Sequence, residues 1–129
     1  MIEFRLDERS GVPTYLQLVQ QVKQALTLGI LQPGDQLPTV KAVVSKLAIN
    51  PNTVLKAYRE LDREGVTEGR RGLGTFISAD QPAAAPTDYA ALQTALVRWI
   101  QRARGAGLDE EGVDALIAAT LHSVFEEAA

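Results

Sequence analysis

The stretch that decides the fold is residues 50–65, "NPNTVLKAYRELDREG". Asn50 is a favoured N-cap residue, and Pro51 suits the first helical position, where its missing N–H would have had no intrahelical partner. Four apolar residues follow at helical spacing: Val54, Ala57, Tyr58 and Leu61. Because Gly65 suits the left-handed conformation that ends many helices, the stretch predicts one amphipathic helix with a defined start and end.

The opposite side of this predicted helix is polar and mostly cationic. It presents Asn52, Lys56, Arg59 and Arg63. The amide of Asn52 and the hydroxyl of Thr53 in the first turn can contact base edges or phosphate oxygens, whereas cations neutralise phosphates. The competing interpretation is a solvated surface, which is the better one for a lone helix.

The net charge of −3 argues against a nucleic-acid partner until it is divided along the chain. Residues 1–78 hold ten Lys and Arg against eight Asp and Glu, a formal +2. Residues 79–129 hold three basic residues against eight acidic ones, a formal −5. The acidic excess therefore belongs to the C-terminal part, and the N-terminal part remains compatible with DNA.

Composition also excludes several classes of site. The 129 residues include no Cys, which removes disulfides and thiolate metal ligands. His122 is the only histidine, so a catalytic dyad or a zinc site has no second partner. No apolar run approaches the roughly 18 residues of a membrane span, and the start "MIEFRLDERSG" does not resemble a secretory signal. We therefore predict a cytoplasmic protein with no membrane partner, cofactor or metal, and not an enzyme.

Two more helices are predicted before residue 50. Residues 13–29, "PTYLQLVQQVKQALTLG", carry apolar residues at helical spacing: Tyr15, Leu18, Val19, Val22, Ala25 and Leu26. Residues 31–38, "LQPGDQLP", indicate a turn. A short helix then begins with Thr39 as N-cap and buries Val40, Val43, Val44 and Leu47. A very short connection separates it from the helix over 50–65.

A β-hairpin is predicted directly after these helices. β-prone stretches around residues 66–68 and 75–78 flank the glycine-rich "GRRGLG", which places Arg70, Arg71 and Gly72 at its tip. The arginines could reach phosphates or a narrow minor groove. A nucleotide-binding loop is a poor alternative, because a strand and not a helix follows the glycines. Three helices and a hairpin in this order predict a mainly α winged helix-turn-helix over residues 1–78, whose second paired helix enters the major groove.

The C-terminal part has a different composition. Residues 79–87 are rich in Pro and Ala and predict a linker, and residues 88–129 predict a helical hairpin. The second helix is capped by Asp109 and is predicted to bury Val113, Leu116, Ile117, Leu121, Val124 and Phe125. Two helices alone rarely bury enough apolar area, so we expect them to pack on a second copy of the chain. An effector cavity at that interface, for an unknown small molecule, stays open.

The motifs together resemble a known family. "LPTVKAVVSKLAINPNTVLKAYRELDREGV", residues 37–66, followed by "RRGLGTF", residues 70–76, is similar to the DNA-binding domain of GntR-type bacterial transcription regulators. The short two-helix C-terminal part resembles the YtrA-like branch. The resemblance implies a repressor that binds a two-fold symmetric, double-stranded DNA operator as a homodimer, with the C-terminal helices as the dimer contact.

The resemblance also implies DNA contacts: Thr39 and Lys41 beside the phosphate backbone, Asn50, Asn52, Thr53 and Lys56 on the recognition helix, and Arg71 and Gly72 at the wing tip. Some positions depart from the family pattern. Lys41 replaces a usual Arg, so a point charge replaces a planar fork. Leu55 stands where many members have a polar or Arg base contact, Leu73 replaces a common Lys, and Thr67 stands at a normally apolar position.

One function of another class remains open. A winged helix can serve as a protein-interaction module without sequence-specific DNA binding, with the hairpin docked on a different chain. Binding to DNA, titrated with salt, separates the two functions.

Overall fold

The computed structural model describes residues 2–82 and 88–128, and these two ranges belong to two separate compact units. The first unit contains α1 (Thr14–Thr27), α2 (Val40–Leu47), α3 (Pro51–Arg63), β1 (Thr67–Arg70) and β2 (Gly74–Ile77). The second contains α4 (Tyr89–Gly105) and α5 (Glu110–Ala128). In the predicted linker, residues 83–87 lie outside the described residues. None of the helices within the described ranges is long and apolar enough to cross a membrane.

The starts of α2 and α3 are set by their N-cap side chains. Thr39 accepts a hydrogen bond from the Ala42 N–H at 3.1 Å, and Asn50 accepts one from the Asn52 N–H at 2.8 Å. Each bond satisfies a backbone donor that has no partner inside the helix. Both predicted caps are confirmed, and the connection between the two helices is only residues 48–50.

The core of the first unit forms where α1, α3 and the hairpin pack together, with α2 against α3. Its buried members are Ile2, Phe4, Leu18, Val19, Val22, Ala25, Leu31, Leu37, Val43, Val54, Ala57, Tyr58, Leu61, Val66 and Ile77. All four residues of the predicted apolar face of α3 are in this group. The core therefore fixes how α3 is rotated about its axis, and with it which side chains face outward.

The hairpin gains a third extended stretch that the sequence analysis treated only as a turn. β1 and β2 pair antiparallel, with Arg70 opposite Gly74, and Gln36 forms an isolated antiparallel bridge with Phe76. The Leu37 N–H donates to the Thr75 carbonyl at 2.8 Å. The loop between α1 and α2 is therefore bonded along one edge of the hairpin.

Two glutamines of α1 hold the segment that precedes it. Gln21 accepts from the Arg5 N–H at 2.9 Å and donates to the Arg5 carbonyl at 2.5 Å. Gln17 accepts from the Asp7 N–H at 2.9 Å and donates to the Asp7 carbonyl at 3.0 Å. Each side-chain amide thus pairs with one residue's backbone as a neighbouring β-strand would.

The second unit is a pair of helices packed on each other. Asp109 caps α5 as predicted, because its carboxylate accepts from the Gly112 N–H at 2.8 Å. The predicted burial along α5 is wrong for the single chain: Val113 is buried, but Leu116 is 43% exposed and Phe125 is 69% exposed. One neighbouring helix cannot cover the apolar residues of α5, which leaves a largely apolar face on the surface.

Candidate nucleic-acid interface

Some polar groups at the start of α3 already form hydrogen bonds within the helix, and others remain available to a ligand. The side-chain oxygen of Asn50 accepts the cap hydrogen bond, so its amide nitrogen is the group left to point outward. Asn52 is exposed and Thr53 is half-buried. Leu55, one of the departures from the family pattern, is also half-buried on α3. The outward amide groups at the start of this helix can donate to or accept from a ligand.

Tyr58 connects α3 to the start of α2. Its ring is in the core, and its hydroxyl donates to the Pro38 carbonyl at 2.6 Å. Burial raises the pKa of the Tyr58 phenol well above its usual range. Pro38 directly precedes the cap residue Thr39, and Lys41 follows in the first turn of α2. This part-buried hydrogen bond thus ties the second half of α3 to the segment that leads into α2.

The cations of the first unit differ in whether an acid already compensates them. Arg63 is hydrogen-bonded to Glu60 through both carboxylate oxygens, with Nε to Oε2 at 2.9 Å. These hydrogen bonds lower the pKa of Glu60 to about 2, so the carboxylate stays ionised beside the guanidinium. Lys23 is similarly paired with Glu64. Arg63, predicted on the outer side of α3, is thereby already compensated.

Lys41, Arg59 and Arg71 form no ion pair within residues 2–82 and 88–128, and all three are exposed. Lys56 also has no acidic partner in those ranges, but its ammonium lies 4.1 Å from the centroid of the Tyr15 ring. Arg5 and Arg9 are also exposed and without an ion pair in those ranges, but they precede α1, so these four are the available positive charges on α2, α3 and the hairpin turn.

The two arginines predicted at the wing tip occupy different environments. Arg70 is the last residue of β1 and is paired with Glu68 at 3.0 Å, with its guanidinium 4.3 Å from the centroid of the Phe76 ring. Arg71 is in the turn, beside Gly72, which has a φ of 75°. The charge at the tip is therefore that of Arg71, and Arg70 is held along the hairpin.

Gln36 holds the tip of the hairpin in place through a hydrogen bond. Its side-chain amide donates to the Leu73 carbonyl at 3.0 Å, next to Gly74 with a φ of 124°. A Cβ at position 74 would lie 2.8 Å from the Gln36 Nε2 atom, so only glycine leaves room for this hydrogen bond. This role of Gln36 could not be predicted from the sequence, because nothing in "PGDQLP" indicates a partner so far along the chain.

Thr67 departs from the apolar pattern without leaving an unsatisfied polar group. The residue is only 4% exposed, and its hydroxyl donates to the Asp62 carboxylate. The bond joins the end of α3 to β1, which is where the hairpin begins. The Thr67 hydroxyl is thus satisfied within the unit, away from the predicted contact residues on α2 and α3.

Neither histidine nor acidic groups form a site elsewhere in the described part of the chain. His122 is on the surface of α5, with Nε2 2.7 Å from a carboxylate oxygen of Glu126. No cluster of three metal-ligating side chains occurs within the described residues.

Residues 14–77 match the family described as "Bacterial regulatory proteins, gntR family". The chain is 50% identical over 74 residues to the HTH-type transcriptional repressor YtrA of Bacillus subtilis, which is 57% of each protein. It thus spans little more than half the length of that relative. It is also 40% identical over 104 residues to the HTH-type transcriptional regulator Rv1152 of Mycobacterium tuberculosis, covering 81% of this chain and 82% of the relative.

Solved structures give the same result for the fold. The structure titled "YtrA from Sulfolobus acidocaldarius, a GntR-family transcription factor" matches 76% of this chain and 97% of its own, with a TM-score of 0.55 and 26% identity. The winged helix-turn-helix predicted from the sequence is therefore confirmed. The chain is similar to YtrA proteins in sequence and in fold. The chain belongs to the GntR family of bacterial regulatory proteins.

Proposed function

We propose that this chain is a sequence-specific DNA-binding transcription regulator that acts in the cytoplasm as a homodimer and represses by occluding a two-fold symmetric operator. The observation that carries the proposal is the pairing of a core-anchored α3, with Asn52 and Lys56 exposed, and a glycine-supported tip that presents Arg71. The relatives named as a repressor and as a regulator support the same function.

The site residues divide by chemistry. Asn52 is assigned to base edges, since an exposed amide can form paired hydrogen bonds with adenine. Thr39 and Asn50 hold phosphates at the starts of α2 and α3, where backbone N–H groups also favour anions. Lys41 and Arg71 neutralise phosphates, as does Lys56 further along α3. Thr53 contributes its hydroxyl in the first turn, and Gly72 lets the tip approach the duplex closely. Arg70 contributes less, because Glu68 compensates its charge.

The dimer is assigned to the second unit. Leu121 and Val124 are each 53% exposed, and an open groove of about 400 Å³ lies between α4 and α5, lined almost entirely by apolar side chains. Exposed apolar area of this kind marks an interaction surface. A second copy would cover it on both chains at once through a two-fold contact. The groove is also the place where a small effector would bind.

The test begins with a random-sequence duplex pool, from which the protein should enrich a palindromic sequence. Affinity for the enriched duplex is then measured against salt. Arg71→Ala and Lys41→Ala should each reduce the slope of log K against log [salt] by about 0.9 for the lost phosphate contact. Arg63→Ala is the matched control, since that guanidinium is held by Glu60 and its loss should leave the slope nearly unchanged. Unchanged slopes in both test variants would refute the assignment.

Substitution of Asn52 tests base recognition separately from phosphate binding. Asn52→Ala should weaken binding at particular base pairs by about 1–3 kcal/mol while leaving the salt slope intact. A uniform loss across all sequences would make Asn52 a phosphate contact.

The alternative, a protein-interaction module, is favoured by one observation. Leu73 at the wing tip is 66% exposed, and an apolar side chain there suits a protein surface. Failure to bind any duplex at low salt would favour this alternative over DNA recognition.

A further inference from the structure

We propose that Tyr15 is a positioning residue for DNA binding, which holds the Lys56 ammonium over its ring in the orientation that meets a phosphate. The inference rests on the proposed function, because Lys56 must contact DNA for its orientation to matter. It assigns a functional role to a residue of α1, the helix that the sequence analysis treated as core only.

Tyr15 and Lys56 lie on α1 and α3, two helices that pack against each other. Tyr15 is the second residue of α1, half-buried and packed against the core. Lys56 is exposed on α3, and its Nζ atom lies 4.1 Å from the ring centroid. An ammonium within about 6 Å of an aromatic centroid is attracted by the ring quadrupole. No carboxylate in the described part of the chain pairs with Lys56, so the aromatic ring is its recognisable partner.

The contact with the Tyr15 ring can favour DNA binding because it does not neutralise the positive charge of Lys56. A lysine ammonium has three N–H donors, and a ring beneath it leaves donors directed away from the ring for a phosphate oxygen. A free lysine side chain loses considerable rotamer freedom when a contact fixes it. The ring restricts those rotamers before DNA arrives, so less freedom is lost on binding. A carboxylate partner would instead have neutralised Lys56, as Glu60 does for Arg63.

Lys41 provides an internal comparison. It is an exposed lysine in the first turn of α2, and neither an ion pair nor an aromatic partner is found for it within the described ranges. If both lysines contact phosphates, only the contribution of Lys56 should depend on Tyr15.

The experiment is a double-mutant cycle on the full chain, with the duplex that the wild-type protein enriches from a random pool as the probe. Tyr15→Leu should weaken binding about two- to fivefold, the range for a cation–π contact at an exposed site. In a Lys56→Ala background, Tyr15→Leu should have no further effect. In a Lys41→Ala background the full loss should remain. Tyr15→Phe keeps the ring and should bind like the wild type.

The outcomes separate the inference from the proposed function. Equal losses from Tyr15→Leu with and without Lys56 would overturn the inference, since the effect would then be structural. A loss in Tyr15→Phe would also overturn it, because the hydroxyl and not the ring would matter. If Lys56→Ala alone leaves binding unchanged, Lys56 is no DNA contact and the inference falls with that assignment. If no duplex is enriched or bound, the proposed function itself fails.

A second measurement does not depend on any variant folding. In the free wild-type protein, the ring current of Tyr15 should shift the Lys56 ε-methylene proton resonances upfield in the NMR spectrum. Lys41, without a ring beside it, should give ordinary shifts. Ordinary shifts at Lys56 would overturn the inference.

Discussion

At the scale of single residues, Tyr58 has two roles that are usually separate. Its ring fills the core between helices, while its hydroxyl satisfies the Pro38 carbonyl next to the start of α2. A carbonyl that loses its partner in a partly buried site costs more than the hydrogen bond was worth. Tyr58 therefore couples the stability of the unit to the position of the start of α2 relative to α3.

Tyr58→Phe should lower the free energy of unfolding by about 1–3 kcal/mol, because the Pro38 carbonyl keeps its burial and loses its donor. Urea denaturation followed by circular dichroism measures this loss. Leu61→Met, a volume-conserving change in the same core, is the control and should cost less than about 1.5 kcal/mol. A Tyr58→Phe variant as stable as the wild type would contradict the role of the hydrogen bond.

The same residue gives a pH dependence with a definite sign. Burial raises the pKa of Tyr58 above its ordinary value of 10.0, so the folded state holds the phenol proton more tightly than the unfolded state does. This contribution to stability is complete below pH 10 and is lost as the pH rises above it. The stability difference between wild type and Tyr58→Phe should therefore shrink above that pH in denaturation series. A difference that stays constant would argue against a buried phenol.

The sequence predicted the role of a residue well where its partner lies close to it along the chain. The caps at Thr39 and Asn50 depend on hydrogen bonds that reach only two or three residues along the chain, so a single stretch of sequence contains both partners. The contact between Tyr15 and Lys56 joins two helices whose relative rotation is decided by the core. Periodicity predicts that Tyr15 belongs to the apolar side of α1, but it cannot indicate which exposed side chain of another helix lies over the ring.

At the scale of elements, the wing depends on a loop that precedes it by two helices. Gln36 bonds the Leu73 carbonyl and bridges to Phe76, so the tip is braced on one side. The glycine pattern in "GRRGLG" predicted the hairpin, because positive φ and β-prone flanks are local signals. The brace was not predictable, since it depends on where the fold brings the loop after α1.

Gly74→Ala should lower the free energy of unfolding by about 1–3 kcal/mol, since alanine is strained at a φ of 124°. The new Cβ would also displace the Gln36 amide and break its bond to Leu73. Affinity for DNA should fall in step as the tip loses its support. Urea denaturation and fluorescence anisotropy with the enriched duplex measure the two effects.

Gly69→Ala is the control for this change. The added Cβ would meet nothing closer than 3.9 Å, and the residue is in β1 with ordinary backbone geometry. It should be close to neutral in both measurements. Equal effects at the two positions would show that the brace is not what distinguishes them.

At the scale of the whole molecule, the chain combines a unit with a complete core and a unit without one. α4 and α5 have the amphipathic pattern of buried helices, yet Leu92 is 58% exposed and Phe125 69% exposed. The sequence indicated which residues of these helices are apolar, and the packing of two helices on a second copy stays a prediction. Periodicity could not indicate which of these residues a single neighbouring helix covers, since that depends on how α4 and α5 pack on each other.

Phe125→Glu should convert the proposed dimer to a monomer, because a charge buried in an apolar interface is not compensated there. Sedimentation equilibrium measures the mass, and operator affinity should fall with the loss of two-site binding. Gln101→Glu, an exposed position of α4 that does not line the groove, is the control and should leave the mass unchanged. A dimeric Phe125→Glu variant would place the contact elsewhere.

The pairing of Gln17 and Gln21 with the preceding segment has an evolutionary consequence. Four residues of helix rise about 6 Å, and two residues of extended chain span about 6.6 Å. The side-chain amides of Gln17 and Gln21, one helical turn apart, therefore reach every second residue of the extended segment. The glutamines bind only main-chain atoms of Arg5 and Asp7, so they place no requirement on the Arg5 side chain, whereas the Asp7 carboxylate also accepts from the Arg9 N–H at 3.0 Å. We expect related proteins to keep both glutamines while position 5 varies in size and charge and position 7 keeps a side chain that can accept the Arg9 hydrogen bond.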